Sequence, residues 1–320
     1  MTPIGVLVMA HGTPHSLDDL AAFYAEIRRG RPPSPEQLAD LDARYRAIGG
    51  TSPLNERTAE QLAGIAAALE AAAPGRFVVA GGAKFADPRI EDAVAQLAAT
   101  GVERIVGLVL TPHYSSASVG EYARRASEAA ARARPGGLAV TIIPNWHDAP
   151  GFASLLARRV RDALGRLATD AAAGAGAEPG AEPAVVFTAH SIPARLVDGG
   201  DPYADQVHES AAAAAHAAGL TRWSVAWQSA GRTDDAWLEP DIRTVMADLA
   251  RDGTTGVVVC PIGFVADHLE VLYDLDVEAA AVARRAGVAF ARTDSLNDDP
   301  VFCAVLARVV TEASAAATGA

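Results

Sequence analysis

Short apolar segments alternate with longer amphipathic segments along the whole chain. The apolar runs, rich in Val, Ile and Leu, fall in two sets of four: residues 4–9, 77–80, 105–110 and 139–143, then 185–188, 223–227, 257–260 and 288–290. The intervening segments with the clearest helical spacing are residues 56–72, 89–99 and 119–134. Strands that alternate with helical crossovers predict a parallel sheet with both faces covered, so we expect an α/β protein.

The repetition of this pattern predicts two domains. We expect an N-terminal lobe over residues 1–148 and a C-terminal lobe over residues 149–320, each a doubly wound, Rossmann-like unit whose parallel four-stranded sheet is flanked by helices. Segment 171–183, AAAGAGAEPGAEP, is low in complexity and rich in turn-forming residues, so we expect a flexible surface insertion there. The last helix is a candidate to pack back on the first lobe.

Two coincidences indicate that the lobes are copies of one unit. In each half a strand runs into the pattern Ala-His-small-x-Pro, at His11 and at His190. Glu121 and Glu270 each come nine residues after a Pro that directly follows a strand. Because the carboxyl ends of the strands line the ligand crevice in doubly wound sheets, we expect an active-site cleft between the lobes, where His190 and Glu270 face His11 and Tyr122.

Composition excludes several classes of protein. The net charge of −12 argues against a surface that coats nucleic acid or anionic lipid. The two cysteines, Cys260 and Cys303, cannot supply the four thiolates of an iron–sulfur cluster, and they fit a reducing compartment. No apolar run approaches the ~20 residues of a transmembrane helix, and the N-terminus has no basic leader. We therefore expect a cytoplasmic protein without a membrane span.

His190 is a candidate for acid–base or metal chemistry. It follows a buried strand and enters a turn closed by Pro193, which places an imidazole at the mouth of the expected cleft. A neutral imidazole can accept a proton near pH 7 or bind a first-row metal ion. The alternative is a core histidine hydrogen-bonded to the backbone, and the residue pattern leaves both open. The matching position of His11 in the first lobe favours the functional interpretation.

Segment 264–278, FVADHLEVLYDLDVE, carries a row of carboxylates. Glu270, Asp274 and Glu278 are spaced i, i+4 and i+8, which places them on one side of a predicted α-helix. Like charges at this spacing destabilise a helix by about 0.2–0.5 kcal/mol per pair. Either water solvates the row or a cation compensates it. In the second case the row would pass a hard divalent cation inward to a mixed oxygen and nitrogen site.

Arginines are concentrated in the first lobe, at positions 28, 29, 31, 44 and 46. Guanidinium groups bind carboxylates in a bidentate manner, so these arginines are candidates to bind an acidic ligand. A role in keeping a helix surface soluble explains the arginines equally well. In the glycine-rich loop 49–53, Ser52 can approach a ligand closely. The chain has no P-loop, no GxGxxG after a strand and no GxSxG, which argues against a nucleotide-dependent enzyme or a hydrolase.

Taken in order, these motifs resemble those of the ferrochelatases. The segments that carry the resemblance are MAHGTP at 9–14, IRRGR at 27–31, RYRAIGGTSPL at 44–54, PHYS at 112–115, FTAHSIP at 187–193, GDPY at 200–203, AWQSAGR at 226–232 and PIGFVADHLE at 261–270. The ordered set runs from residue 4 to about residue 302. The IRRGR and RYRAIGG segments are more similar to the bacterial coproporphyrin ferrochelatases, which form coproheme, than to the protoporphyrin enzymes.

The resemblance implies a lyase of heme biosynthesis, a metal chelatase that inserts Fe(II) into coproporphyrin III and releases two protons. It implies that His190 and Glu270 are the catalytic, iron-side pair, and that Asp274 and Glu278 form an outer site for divalent ions. The positions that it implies for tetrapyrrole binding are His11, Arg28, Arg44, Tyr45, Ser52 and Tyr122.

His11 departs from the pattern of the resembled branch, which usually has Tyr there, and it is a candidate axial ligand of the product iron. The resemblance implies Fe(II) as a substrate, no required cofactor and transfer of the product to a coproheme-using enzyme. The cysteine count argues against a [2Fe-2S] cluster, and the absence of heptads favours a monomer. The alternatives are a protoporphyrin ferrochelatase, a sirohydrochlorin cobaltochelatase and a tetrapyrrole-binding protein without turnover.

Overall fold

The structure is a computed structural model that describes residues 2–173, 183–231 and 233–316. The chain divides into two compact units. The first comprises Met1–Trp146, Ala266–Leu269 and Leu296–Ala320, and the second comprises His147–Val265 and Glu270–Ser295. The first stretch of the first unit therefore ends at Trp146, two residues before the predicted boundary at 148, and the unit also takes in two later segments.

The described residues form two parallel four-stranded sheets, one in each unit. The strands are β1 (Ile4–Ala10), β2 (Phe77–Ala83), β3 (Arg104–Val109), β4 (Ala139–Ile142), β5 (Ala184–His190), β6 (Trp223–Gln228), β7 (Gly256–Cys260) and β8 (Ala289–Arg292). The spatial order is β2-β1-β3-β4 in the first sheet and β6-β5-β7-β8 in the second, so the two sheets have the same topology. This confirms the predicted doubly wound fold and its duplication.

Helices connect the strands and cover the sheets. In chain order they are α1 (Leu20–Ile27), α2 (Pro35–Ala47), α3 (Leu54–Ala72), α4 (Ile90–Ala99), α5 (Val119–Ala133), α6 (Phe152–Ala173), α7 (Ala194–Asp198), α8 (Tyr203–Ala218), α9 (Ile242–Arg251), α10 (Leu269–Val271), α11 (Ala280–Ala286) and α12 (Pro300–Ala316). A 3₁₀ turn at Leu17–Asp19 precedes α1, and a π-helix at Leu272–Ala279 joins α10 to α11. Within the described residues, no helix is long and apolar enough to cross a membrane.

Each sheet has its own apolar core. In the first unit α4 and α5 pack together on the sheet, and the buried side of α5 carries residues 119, 122, 126, 129 and 130, which recur at helical spacing. In the second unit the π-helix, α9 and α11 pack in the same way. Helix α12 packs on α3, where Gly64 leaves room for Cys303: a Cβ at Gly64 would lie 2.6 Å from its Sγ.

Two local predictions have a different outcome. Residues 171–173 of the predicted insertion are the end of α6, and residues 174–182 lie outside the described residues. The predicted α-helix that carries Glu270, Asp274 and Glu278 begins at Leu269, but it becomes a π-helix after Val271. In a π-helix the hydrogen bonds join residues i and i+5, so residues four apart no longer complete a full turn.

Candidate active site

Strand β5 delivers His190 to the carboxyl end of the second sheet. The buried Tyr203 hydroxyl donates to the His190 carbonyl over 3.0 Å, and the Ser191 N–H donates to the Gln228 carbonyl over 2.8 Å. The Phe264 ring lies 6.4 Å from the imidazole, measured between ring centres. These two hydrogen bonds hold the backbone at His190 and Ser191 in place, and the end of β5 thereby fixes the position from which the imidazole projects.

His190 and Glu270 form a polar pair within the second unit. The His190 Nδ1–H donates to the Ser191 carbonyl, and Nε2 lies 3.6 Å from Oε1 of Glu270. The two side chains are 36% and 40% exposed, so a small ligand can reach both from solvent. An imidazole nitrogen and a carboxylate oxygen together suit transient binding of a borderline divalent cation as well as proton transfer.

The pair holds a proton at neutral pH. Burial lowers the pKa of His190, but the charge of Glu270 and its hydrogen bond, the Ser191 carbonyl and the charge of Asp274 outweigh burial and raise the pKa to about 9. The raised pKa favours the protonated imidazole near pH 7 in the metal-free protein. The identity of the residue as a histidine could not predict the raised pKa, because the shift depends on the carboxylate of Glu270 from a distant segment.

The π-helix gives the three predicted carboxylates different surroundings. Glu270 lies in the first turn of α10, beside His190. Asp274 is buried and accepts a hydrogen bond from the Ser229 hydroxyl, whereas Glu278 lies 3.8 Å from a guanidinium nitrogen of Arg243. Among the described residues, no group of three or more His, Cys, Asp or Glu side chains is placed to hold a metal ion.

In the first unit, His11 directly follows β1 and is exposed. Its Nδ1 lies 2.9 Å from the Gly12 carbonyl, and its ring lies 4.8 Å from that of Phe85 and 6.3 Å from that of Phe23. A neutral imidazole that donates from Nδ1 presents Nε2 as its acceptor and metal ligand. The geometry is thus compatible with metal ligation by Nε2.

The predicted tetrapyrrole-binding residues fall into two groups. Arg28 and Arg44 are partly exposed: Arg28 stacks 5.6 Å above the Tyr24 ring, and Arg44 donates to Asp40 over 3.1 Å. The Arg28 Nε is buried and has no hydrogen-bond partner among the described residues. The Arg44 guanidinium can turn toward an added carboxylate, because its ion pair with Asp40 is a surface pair of small strength.

Tyr45, Ser52 and Tyr122 belong to the buried framework of the first unit, at 2%, 8% and 5% exposure. The Tyr45 hydroxyl is 2.9 Å from the Thr13 hydroxyl, and burial raises the pKa of Tyr122. The Ser52 hydroxyl accepts from the N–H of Leu269 over 3.3 Å, directly before Glu270 in the chain. These three side chains hold loops and strand ends in place, and Tyr122 falls on the helical spacing of the buried side of α5.

Lys84 was not predicted from the sequence. It directly follows β2, is 7% exposed and donates to Oε2 of Glu121 over 2.7 Å. Burial lowers the pKa of Lys84, and its Nζ lies 4.9 Å from the ring centre of Tyr122. The available signal was its place after a strand, at the same edge of the sheet as His11.

Comparison with known proteins gives a consistent result. A family model described as ferrochelatase matches residues 3–314. The chain is 41% identical over 309 residues to the coproporphyrin III ferrochelatase of Bacillus subtilis (strain 168), and this alignment covers 96% of each chain. It is 39% identical over 306 residues to a ferrochelatase of Herpetosiphon aurantiacus, and the alignment covers 96% of this chain and 97% of the relative.

Among solved structures, the sirohydrochlorin chelatase SirB from Bacillus subtilis subspecies spizizenii, in complex with cobalt, is similar with a TM-score of 0.54. The match covers 99% of this chain and 97% of that chain, at 11% sequence identity. At this level of identity the likeness shows a shared fold alone.

Proposed function

The chain belongs to the ferrochelatase family, and on that premise we propose that it inserts Fe(II) into coproporphyrin III to give coproheme and two protons. It is a metal chelatase of the lyase class in heme biosynthesis. The observation that carries the chemistry is the His190–Glu270 pair, with 3.6 Å between Nε2 and Oε1 at a strand end. Such a pair can bind the incoming cation and remove protons from the substrate.

His190 and Glu270 divide the work of proton transfer. In the free enzyme the imidazole carries a proton, because its pKa is raised to about 9. When Fe(II) approaches, His190 releases this proton to solvent through Glu270, because a nearby cation lowers the pKa of the imidazole, and His190 then acts as a neutral base. As iron enters the ring, His190 takes the pyrrole protons in turn, and Glu270, which is 40% exposed, passes them to solvent. Two N–H bonds break, and charge balances because Fe(II) replaces two protons.

Residues of the first unit hold the tetrapyrrole in this proposal. Coproporphyrin III carries propionate groups, and Arg28 and Arg44 are the partly exposed guanidinium groups that pair with them. Tyr45, Ser52 and Tyr122 keep the surrounding loops in shape from buried positions. His11 would bind the product iron through Nε2, as a neutral donor in place of a phenolate.

Asp274 and Glu278 form the outer site for divalent ions in the proposal. Their carboxylate oxygens would hold the ion, in competition with the Arg243 guanidinium that lies 3.8 Å from Glu278 and with the Ser229 hydroxyl that donates to Asp274. The enzyme works as a monomer in the cytoplasm without a resident cofactor, and it passes coproheme to an enzyme that uses it. Light scattering at micromolar concentration tests the oligomeric state.

The function is tested by anaerobic mixing of the purified protein with Fe(II) and coproporphyrin III while the Soret band is followed. Parallel reactions contain protoporphyrin IX with Fe(II) and sirohydrochlorin with Co(II). We expect the highest kcat/KM with coproporphyrin III. A rate equal to the uncatalysed background, together with tight coproheme binding, identifies a carrier and contradicts the proposal. A faster reaction in either parallel mixture identifies one of the other chelatases.

A further inference from the structure

We propose that Gln228 and Ser229 are positioning residues that hold Glu270 opposite His190. The two residues form the end of β6 and the position after it, and we name them the β6 clamp. This inference rests on the proposed function, because it assigns a role in the reaction of the His190–Glu270 pair.

Gln228 is bonded to both sides of the pair. It lies beside His190 in the register of β5 and β6, and its backbone carbonyl accepts from the N–H of Ser191 over 2.8 Å. Its side-chain Nε2 donates to the backbone carbonyl of Glu270 over 3.2 Å. One residue therefore ties the backbone next to the imidazole to the backbone that carries the carboxylate, and this sets the separation of the two functional groups.

Ser229 supplies a second point of attachment. Its hydroxyl donates to the carboxylate of Asp274, which lies about one turn after Glu270 in the π-helix. Hydrogen bonds to an ionised acceptor are stronger than neutral ones. Two attachments on successive turns fix both the position and the rotation of this helix against β6, and one attachment alone would leave the rotation open.

The clamp contains local features that a fold alone does not require. Ser229 has a φ of +59°, in the left-handed region that non-glycine residues rarely adopt. Gln228 is 1% exposed, and its Oε1 is buried without a hydrogen-bond partner among the described residues. Ser229 contacts a π-helix, a form that is frequent at functional sites, and Gln228 contacts the helical turn directly before it. Unfavourable features of this kind persist where function depends on the geometry.

The first unit gives an internal comparison. By the register of the two sheets, Lys84 occupies there the position of Gln228, and Glu121 corresponds to Glu270. Lys84 donates directly to the carboxylate of Glu121 over 2.7 Å, so that the carboxylate is held in an ion pair. In the second unit the neutral amide binds the backbone carbonyl instead, and the carboxylate of Glu270 lies beside His190. The choice of Gln over Lys keeps this carboxylate available to the imidazole.

The test compares steady-state kinetics of Gln228→Met, Ser229→Ala and Ser229→Gly with Fe(II) and coproporphyrin III. Porphyrin affinity, from fluorescence quenching, is measured for each variant. We expect kcat to fall about tenfold or more, because small misplacements of catalytic groups are expensive, while porphyrin affinity stays within about twofold. Ser229→Asn should restore most of the rate, because Asn tolerates a positive φ and its amide can donate to Asp274.

The control is Ser210→Ala, which removes another buried serine of the second unit, one that donates to the His147 carbonyl over 3.4 Å. Its kinetics should match those of the wild type. Wild-type kcat in Ser229→Gly, whose backbone adopts the positive φ without strain, overturns the role of the hydroxyl. Wild-type kcat in Gln228→Met overturns the role of the amide. An inactive wild type instead contradicts the proposed function, so the two failures are distinguishable.

Discussion

Glu270→Gln tests whether this carboxylate controls the protonation of His190. In the wild type the pKa of His190 is raised to about 9, so about one imidazole in a hundred is neutral at pH 7. Burial acts in the opposite direction, and the carboxylate 3.6 Å away is the main group that outweighs it. The amide keeps the size of the side chain and removes the charge. We therefore expect the pKa to fall toward about 6.5, which leaves most of the imidazole neutral at about pH 8.

The assay is a pH titration of the metal-free protein by NMR, followed at the ring carbon signals of its eight histidines. A spectrum of His190→Ala identifies the signal of His190. The control is Glu209→Gln, which removes a carboxylate that lies 2.8 Å from Nε2 of His147 in the same unit. It should leave the midpoint of His190 unchanged. Equal midpoints for His190 in the wild type and in Glu270→Gln would refute the reasoning.

The same shift links stability to pH with a defined sign. A histidine whose pKa is raised in the folded state contributes stability that is complete below its unfolded pKa of about 6.5. That contribution is lost as the pH rises through the folded value of about 9. The difference in Tm between the wild type and Glu270→Gln should thus be largest in mildly acidic buffer and shrink in alkaline buffer. A constant difference across this window contradicts the account.

Three further substitutions give sharp expectations. Gly263→Ala should destabilise the fold by about 1–3 kcal/mol in denaturant unfolding, because the added Cβ would lie 2.6 Å from the Cβ of Ala189. The control is Gly165→Ala, whose added Cβ has no atom within 4 Å and which should be neutral or stabilising. Tyr203→Phe removes the hydrogen bond to the His190 carbonyl. We expect it to lower the free energy of unfolding by about 1 kcal/mol and to lower kcat. An unchanged kcat would show that this hydrogen bond does not position the imidazole. His11→Ala should change the absorption spectrum of ferric coproheme more than the rate of insertion, and an unchanged spectrum excludes His11 as the ligand.

Much of the fold could be predicted because its central strands are buried on both faces. All seven residues of β1 and all five of β7 are buried, and such strands are continuous apolar runs in the sequence. The predicted strand ends differ from the observed ones by three residues at most, as for β2, which continues through two glycines to Ala83. The duplication was visible because His11 directly follows β1 and His190 ends β5, the equivalent strand of the second sheet.

The features that were missed depend on contacts between distant segments. The helical turn at Glu270 and the π-helix that follows it are hydrogen-bonded to Gln228 and Ser229, which lie more than forty residues earlier in the chain. The raised pKa of His190 depends on the same placement of Glu270. Local periodicity does not indicate either contact. A spacing of four residues predicts an ordinary α-helix and gives no sign of the π-helix that forms here.

Single-turnover insertion by the wild type and by His190→Ala, each loaded with coproporphyrin III and mixed anaerobically with Fe(II), tests the central claim most directly. Soret absorbance reports coproheme, and a pH indicator reports released protons. We expect the wild type to form coproheme faster than the uncatalysed mixture, with two protons per porphyrin, and the variant to bind the porphyrin but insert iron at least about a hundredfold more slowly. Equal rates in the two proteins would contradict the assignment of His190 as the base.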